Sequence, residues 1–157
     1  MPFWIKIALS IVAVEVLGGS GAAITREQIP GWFESLNKPP GNPPNWLFGP
    51  VWITLYAMIG AAFAIIWHQA VPSATKRIAI ILFSIQLILN LAWTPVFFGM
   101  HQMLVALVVI ICLWFTIALT IAQFWRLKPL AGFLLVPYLL WVSYATYLNG
   151  AYLVLNR

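Results

Sequence analysis

The side chains that could run acid–base, nucleophilic or metal chemistry are few and scattered. The three carboxylates, Glu15, Glu27 and Glu34, lie apart from the two histidines. His68 and His101 fall at helix ends with no acidic or cysteine partner nearby, and Cys112 stands alone inside an apolar run. No glycine-rich phosphate loop precedes a helix, so hydrolytic, metal-assisted and nucleotide chemistry are not expected, and neither a metal nor a cofactor is implied. What the chain offers instead is aromatic rings interleaved with a few amides and hydroxyls. Trp52, Tyr56, Gly60, Phe63 and Trp67 recur at three- and four-residue spacing on one helix face. Gln86, Asn90, Trp93 and Phe97 step by four, three and four, and Tyr138, Trp141, Ala145 and Leu148 form a third line. The ordinary role of such stripes is packing or an interfacial belt. Two amides facing lipid would each leave an unpaired polar group costing several kcal/mol, so the Gln86–Asn90 face must point inward. A small Ala145 between bulky neighbours leaves room for a flat hydrophobic ligand unless a neighbouring helix fills it.

The elements that position these faces are membrane spans. The chain has 157 residues, of which 63% are hydrophobic and 7% charged, and its mean hydropathy is +0.96, far from the soluble norm of roughly a quarter charged. At 1.5 Å per residue, about twenty apolar residues cross about 30 Å of hydrocarbon. Such runs occupy residues 3–24, 47–69, 78–98, 103–125 and 130–155, predicting one all-α domain, an integral membrane bundle of five transmembrane helices. The first run carries Glu15 and continues past any short leader core, so it reads as a span and not as a cleaved signal. Eight Lys and Arg residues occur singly or in pairs between apolar runs, which fits the positive-inside rule and excludes a nucleic-acid surface. Lys6, Lys76, Arg77, Arg126 and Lys128 fall at one end, and Arg26, Lys38 and Arg157 at the other, so the N-terminus is expected in the cytoplasm.

One connector is long. Residues 25–46 have room for a brief amphipathic turn around Trp32, then prolines 39, 40, 43 and 44 impose a stiff extended path that makes this segment a lid candidate, with Trp32, Pro43, Pro44 and Trp46 as its candidate contacts. In the first span, Gly18, Gly19, Ser20, Gly21, Ala22 and Ala23 would let another backbone approach closely. Glu15, at mid-span, is expected to be neutral, hydrogen-bonded or turned to a polar cavity, and Glu15→Gln to be tolerated. Pro95 removes one helical hydrogen bond and predicts a kink.

Three blocks, WFESLNKPPGNPPNWLFGPVWITLYAMIG, QLILNLAWTPVFFG and PYLLWVSYATYLN, resemble the translocator protein or tryptophan-rich sensory protein family, also called the peripheral benzodiazepine receptor family. The likeness keeps the family's order and separations over nearly the whole chain. It implies a five-helix bundle, often a homodimer, with a pocket beneath the first loop that binds porphyrins and, in animal members, cholesterol and drug ligands. By motif it implies that Trp52, Asn90, Trp93, Trp141 and Ala145 line that pocket. Some bacterial members degrade protoporphyrin in light, and the tryptophans matching Trp52 and Trp141 would be the catalytic pair in that case. The host membrane would be a bacterial cell membrane, or the outer mitochondrial membrane of a eukaryote. The sequence departs from the family at Gly41, which replaces a loop tryptophan. Leu148, Tyr152 and Arg157 satisfy the loose sterol pattern with the Tyr two residues late, which makes a sterol the weaker partner expectation.

Three functions follow: binding of a porphyrin or similar hydrophobic small molecule as sensor, scavenger or carrier; light-dependent porphyrin breakdown; or a structural module for membrane assembly. The expected ligand wall comprises Trp52, Tyr56, Asn90, Trp93, Phe97, Tyr138, Trp141, Ala145 and Leu148.

Overall fold

The structure is a computed structural model that describes residues 1–69 and 73–157. Among the described residues, seven α-helices, α1 (Phe3–Gly19), α2 (Ala22–Gln28), α3 (Asn45–His68), α4 (Ala74–Thr94), α5 (Met103–Leu127), α6 (Pro129–Leu134) and α7 (Val136–Leu155), combine into five spans long and apolar enough to cross a membrane. The chain is an integral membrane protein.

The first span is longer than the sequence predicts. Ser20 and Gly21 keep right-handed helical dihedrals between α1 and α2, and a π-helical turn at Ile29–Phe33 carries the helix through Pro30. The resulting Phe3–Phe33 span of 31 residues measures about 46 Å, more than the roughly 30 Å of hydrocarbon. Its last turns therefore stand in the interfacial layer, where polar residues are compatible with helix. The expected lid over residues 25–46 shrinks to a connector at 36–44. Pro95, expected to kink the third span, ends α4 and opens a π-helical turn at Pro95–Gly99, which absorbs the missing N–H.

In α5 the residues Ala106, Ile110, Leu113, Ile117, Thr120 and Phe124 are buried, while Leu104, Val108, Phe115 and Leu119 are exposed on the opposite face. A helix apolar on both faces fits a bundle in lipid, where only the inner face needs shape complementarity. Ser73 caps α4 by accepting the Lys76 N–H at 3.0 Å. The Lys76 ammonium returns to the Trp67 and Gln69 carbonyls, covering the C-terminus of α3.

Helix α1 lies along α3, α4 along α5, and α5 along both α6 and α7. The α1–α3 seam is close because of Gly60, where a Cβ would come within 2.6 Å of Ile11 Cα and 2.9 Å of the Ser10 carbonyl oxygen. Gly60 thus belongs to a helix seam and not to the aromatic wall. Below it, Phe63 stacks on Phe83 at 4.8 Å, and Trp67 receives the Lys6 ammonium over its ring at 5.2 Å. The lower half of that stripe is packing. Helix α3 contacts α6 but scarcely α7, and the upper space between α3 and α7 is left for a cavity.

Candidate ligand-binding site

A cavity of about 600 Å³ occupies the loop half of the bundle. Its α1–α2 wall is one helix face, Glu15, Gly18, Gly19, Ala22, Thr25, Arg26, Ile29 and Phe33, recurring at three- and four-residue steps. Helix α3 supplies Phe48, Trp52 and Tyr56; α4 and its π-turn supply Asn90, Trp93 and Phe97; α7 supplies Trp141, Ala145 and Leu148. Eight of the nine residues expected on the wall therefore line one space.

Tyr138 is the correction. It is fully buried and stands one layer behind the wall, where its hydroxyl donates to Gln86 Oε1 at 2.8 Å and accepts from Asn90 Nδ2 at 2.9 Å. Asn90 Oδ1 in turn accepts the Tyr56 hydroxyl at 3.0 Å. This chain of four polar side chains ties α3, α4 and α7 together at the cavity floor, and it pairs both ends of the Asn90 amide and the carbonyl oxygen of Gln86. Gln86 Nε2 is left without a partner among the described residues. Trp93 is fixed by its own pair: its indole N–H donates to Asn149 Oδ1 at 2.9 Å, and Asn149 Nδ2 donates to the Met103 carbonyl at 2.9 Å. Trp93 also stacks on Phe97 with ring centroids 4.9 Å apart. Trp52 stacks on Tyr56 at 5.2 Å, and Trp141 meets Phe48 edge-on at 6.1 Å, so both candidate redox residues face the cavity with aromatic neighbours.

The lid is held by tyrosines. Pro40 and the residues around it expose carbonyls without N–H groups to match, and α7 answers with hydroxyl donors. Tyr147 Oη donates to the Pro40 carbonyl at 2.9 Å, Tyr144 Oη to the Gly41 carbonyl, and Tyr152 Oη to Asn42 Oδ1 at 2.6 Å. Asn156 Oδ1 accepts the Asn37 N–H and its Nδ2 donates to the Asn37 carbonyl, closing the connector onto the end of α7. Gly41 has φ +80°, and a Cβ there would lie 3.2 Å from Tyr144 Oη. The glycine at position 41 is thus required by this turn.

The four lid residues expected from sequence do not line the cavity, to which the connector contributes Asn42 and the first turn of α3 Asn45. Trp32 stacks on His101 at 4.1 Å, Pro43 is buried within the connector, Pro44 is exposed, and Trp46 is 71% exposed. Leu148 and Tyr152 of the loose sterol pattern are turned into the bundle. Glu15 lines the cavity and forms no ion pair among the described residues. The small residues of the first span divide their roles. A Cβ on Gly18 would strike the Tyr56 ring, one on Gly21 would touch Thr94 at 3.0 Å, and Gly19 has open space. Ile110 and Leu113 of α5 also line the cavity, and their apolar side chains carried no signal that separates cavity from core.

A family model, that of the TspO/MBR family, matches residues 10–155. Among similar proteins, the Tryptophan-rich protein TspO of Chlorobaculum tepidum is 42% identical over 152 residues, 97% of this chain and 96% of that relative. Protein CrtK of Rhodobacter capsulatus is 35% identical over 150 residues, covering 95% and 91%. The Translocator protein of Bos taurus is 37% identical over 150 residues, covering 94% and 88%. With a match spanning nearly its whole length, the chain belongs to the TspO/MBR family.

Proposed function

We propose that this protein binds a tetrapyrrole of the protoporphyrin type, or a similarly flat hydrophobic molecule, within the membrane as a sensor, scavenger or carrier. The observation that carries this reading is the cavity itself: about 600 Å³, within the roughly 300–1,000 Å³ of small-molecule sites, walled by rings from four spans. Burying about 400 Å² of apolar ligand surface gives a gross term of about 10 kcal/mol. Association and ordering remove several kcal/mol of it, which leaves micromolar affinity. Apart from Gln86 Nε2, the polar groups of the floor are paired with one another, as suits a site that recognises shape and stacking more than a hydrogen-bond pattern.

A second reading, light-driven oxidative breakdown of the bound porphyrin, is favoured by the placement of Trp52 and Trp141 on the cavity surface. The two readings separate in one experiment. The purified protein is titrated in the dark with protoporphyrin, following tryptophan fluorescence, and is then illuminated while the absorption spectrum is recorded. Trp52→Phe and Trp141→Phe keep an aromatic wall and should weaken dark binding by no more than about 1–2 kcal/mol. If the protein only binds, its spectrum under light decays no faster than that of free porphyrin in detergent. If it catalyses, the wild type bleaches the porphyrin and both variants lose that activity, because a phenyl ring is far harder to oxidise than an indole.

A further inference from the structure

We propose that the ligand of this cavity carries a carboxylate and that Arg26 is the residue that selects for it. The inference rests on the cavity being the ligand site, as proposed above, and adds the chemical class and the orientation of what enters it.

The wall contributed by the first span has a charge toward each end and little between. Glu15 and Arg26 both line the cavity, and the residues separating them on that face include Gly18, Gly19 and Ala22. From Gly18 to Ala22 no side chain on that face is larger than a methyl group, at Gly19 the space a Cβ would enter is open, and Thr25, beside Arg26, donates its hydroxyl to the Gly21 carbonyl at 3.2 Å. Eleven residues of helix place the two charges about 16 Å apart along the axis, with Arg26 at the loop end, where Asn42 and Asn45 also reach the cavity. The other polar groups of that rim are engaged. Asn42 accepts the Tyr152 hydroxyl and donates to the Pro43 carbonyl. Asn45 Nδ2 donates to Glu34 Oε1 at 2.8 Å, and Glu34 also faces Lys38 at 4.0 Å. Arg26 is exposed and forms no ion pair among the described residues, although Glu27 is its chain neighbour.

A guanidinium presented at the mouth of an apolar cavity, with its neighbours already paired, is matched by a carboxylate, whose two oxygens accept from the planar N–H fork. Glu15 offers no such fork at the opposite end. An amphiphilic acid would therefore enter with its apolar ring system among the aromatic side chains and its acid groups outward under the connector.

The test compares protoporphyrin with its dimethyl ester, titrated in the dark into wild type, Arg26→Gln and Arg26→Lys. In wild type the free acid should bind about five- to tenfold more tightly than the diester, as expected of a charge-assisted pair at a partly solvated rim. Arg26→Gln should bring that ratio to about one, with a thermal midpoint near that of wild type reporting an intact fold, and Arg26→Lys should retain part of it. Equal affinity of wild type for both ligands, or an unchanged ratio in Arg26→Gln, would overturn the role of Arg26 while leaving the cavity assignment standing. Binding of neither ligand would overturn both.

Discussion

Gly60→Leu should detach α1 from the bundle and lower the thermal midpoint in detergent more than any other single substitution considered for this chain. A Cβ at Gly60 would lie 2.6 Å from Ile11 Cα, 2.8 Å from its nitrogen and 2.9 Å from the Ser10 carbonyl oxygen. These are backbone atoms of the facing helix, so no rotamer change relieves the overlap and the helices must separate. Overpacking of a formed interface costs about 1–3 kcal/mol, and rigid backbone on both sides places this site at the upper end, near about 3 kcal/mol. Gly60→Ala should already show a measurable part of the loss. Gly31→Ala, where the added Cβ meets nothing within 4 Å, serves as the control. A Gly60→Leu protein melting with wild type would mean that the α1–α3 seam is not as close as described. Because α1 carries Glu15, Gly18 and Gly19 of the cavity wall, the same variant should also lose ligand binding.

Asn90→Leu acts at the floor. It removes the acceptor of the Tyr56 hydroxyl and the donor to Tyr138, while Tyr138 keeps Gln86. A buried hydroxyl left without a partner costs about 1–3 kcal/mol, so a loss of about 2 kcal/mol is expected. Most of that penalty belongs to the stranded Tyr56 hydroxyl. Adding Tyr56→Phe to Asn90→Leu should therefore restore part of the thermal midpoint, and the double variant should be less damaged than the sum of the single ones. Strict additivity would show that the two side chains do not act as a unit.

The inward faces were legible because lipid cannot satisfy polar groups. Gln86 and Asn90 fix the orientation of α4, and with it Trp93 and Phe97, from sequence alone. Ala145 between bulky neighbours left open whether a ligand or a neighbouring helix fills the space on α7, and only the resemblance assigned it to a pocket. The end of the first span was not legible, since the polarity beginning at Thr25 marks where the chain leaves the hydrocarbon and not where the helix stops. Tyr138 was misplaced because it shares a line with Trp141 along α7, and a line on a helix does not report depth. Trp52 and Gly60 share a stripe yet serve a cavity and a helix seam respectively. For Ile110 and Leu113, lipid, core and cavity all demand the same apolar side chains, so pattern alone could not assign them.

The central claim is that a flat hydrophobic ligand occupies the space between α3, α4 and α7 under the first connector. Ala145 lines that space on α7, and Ala145→Phe would project a ring into it. The most direct measurement is the dark titration of wild type, Ala145→Leu and Ala145→Phe with protoporphyrin, each checked for its thermal midpoint. Wild type should bind at micromolar concentration, Ala145→Leu more weakly, and Ala145→Phe at least about tenfold more weakly, as a ring filling the site excludes apolar contact worth more than about 1.4 kcal/mol, with midpoints near wild type. Full affinity in a folded Ala145→Phe protein would contradict the account, because the ligand would then have to bind elsewhere on the molecule.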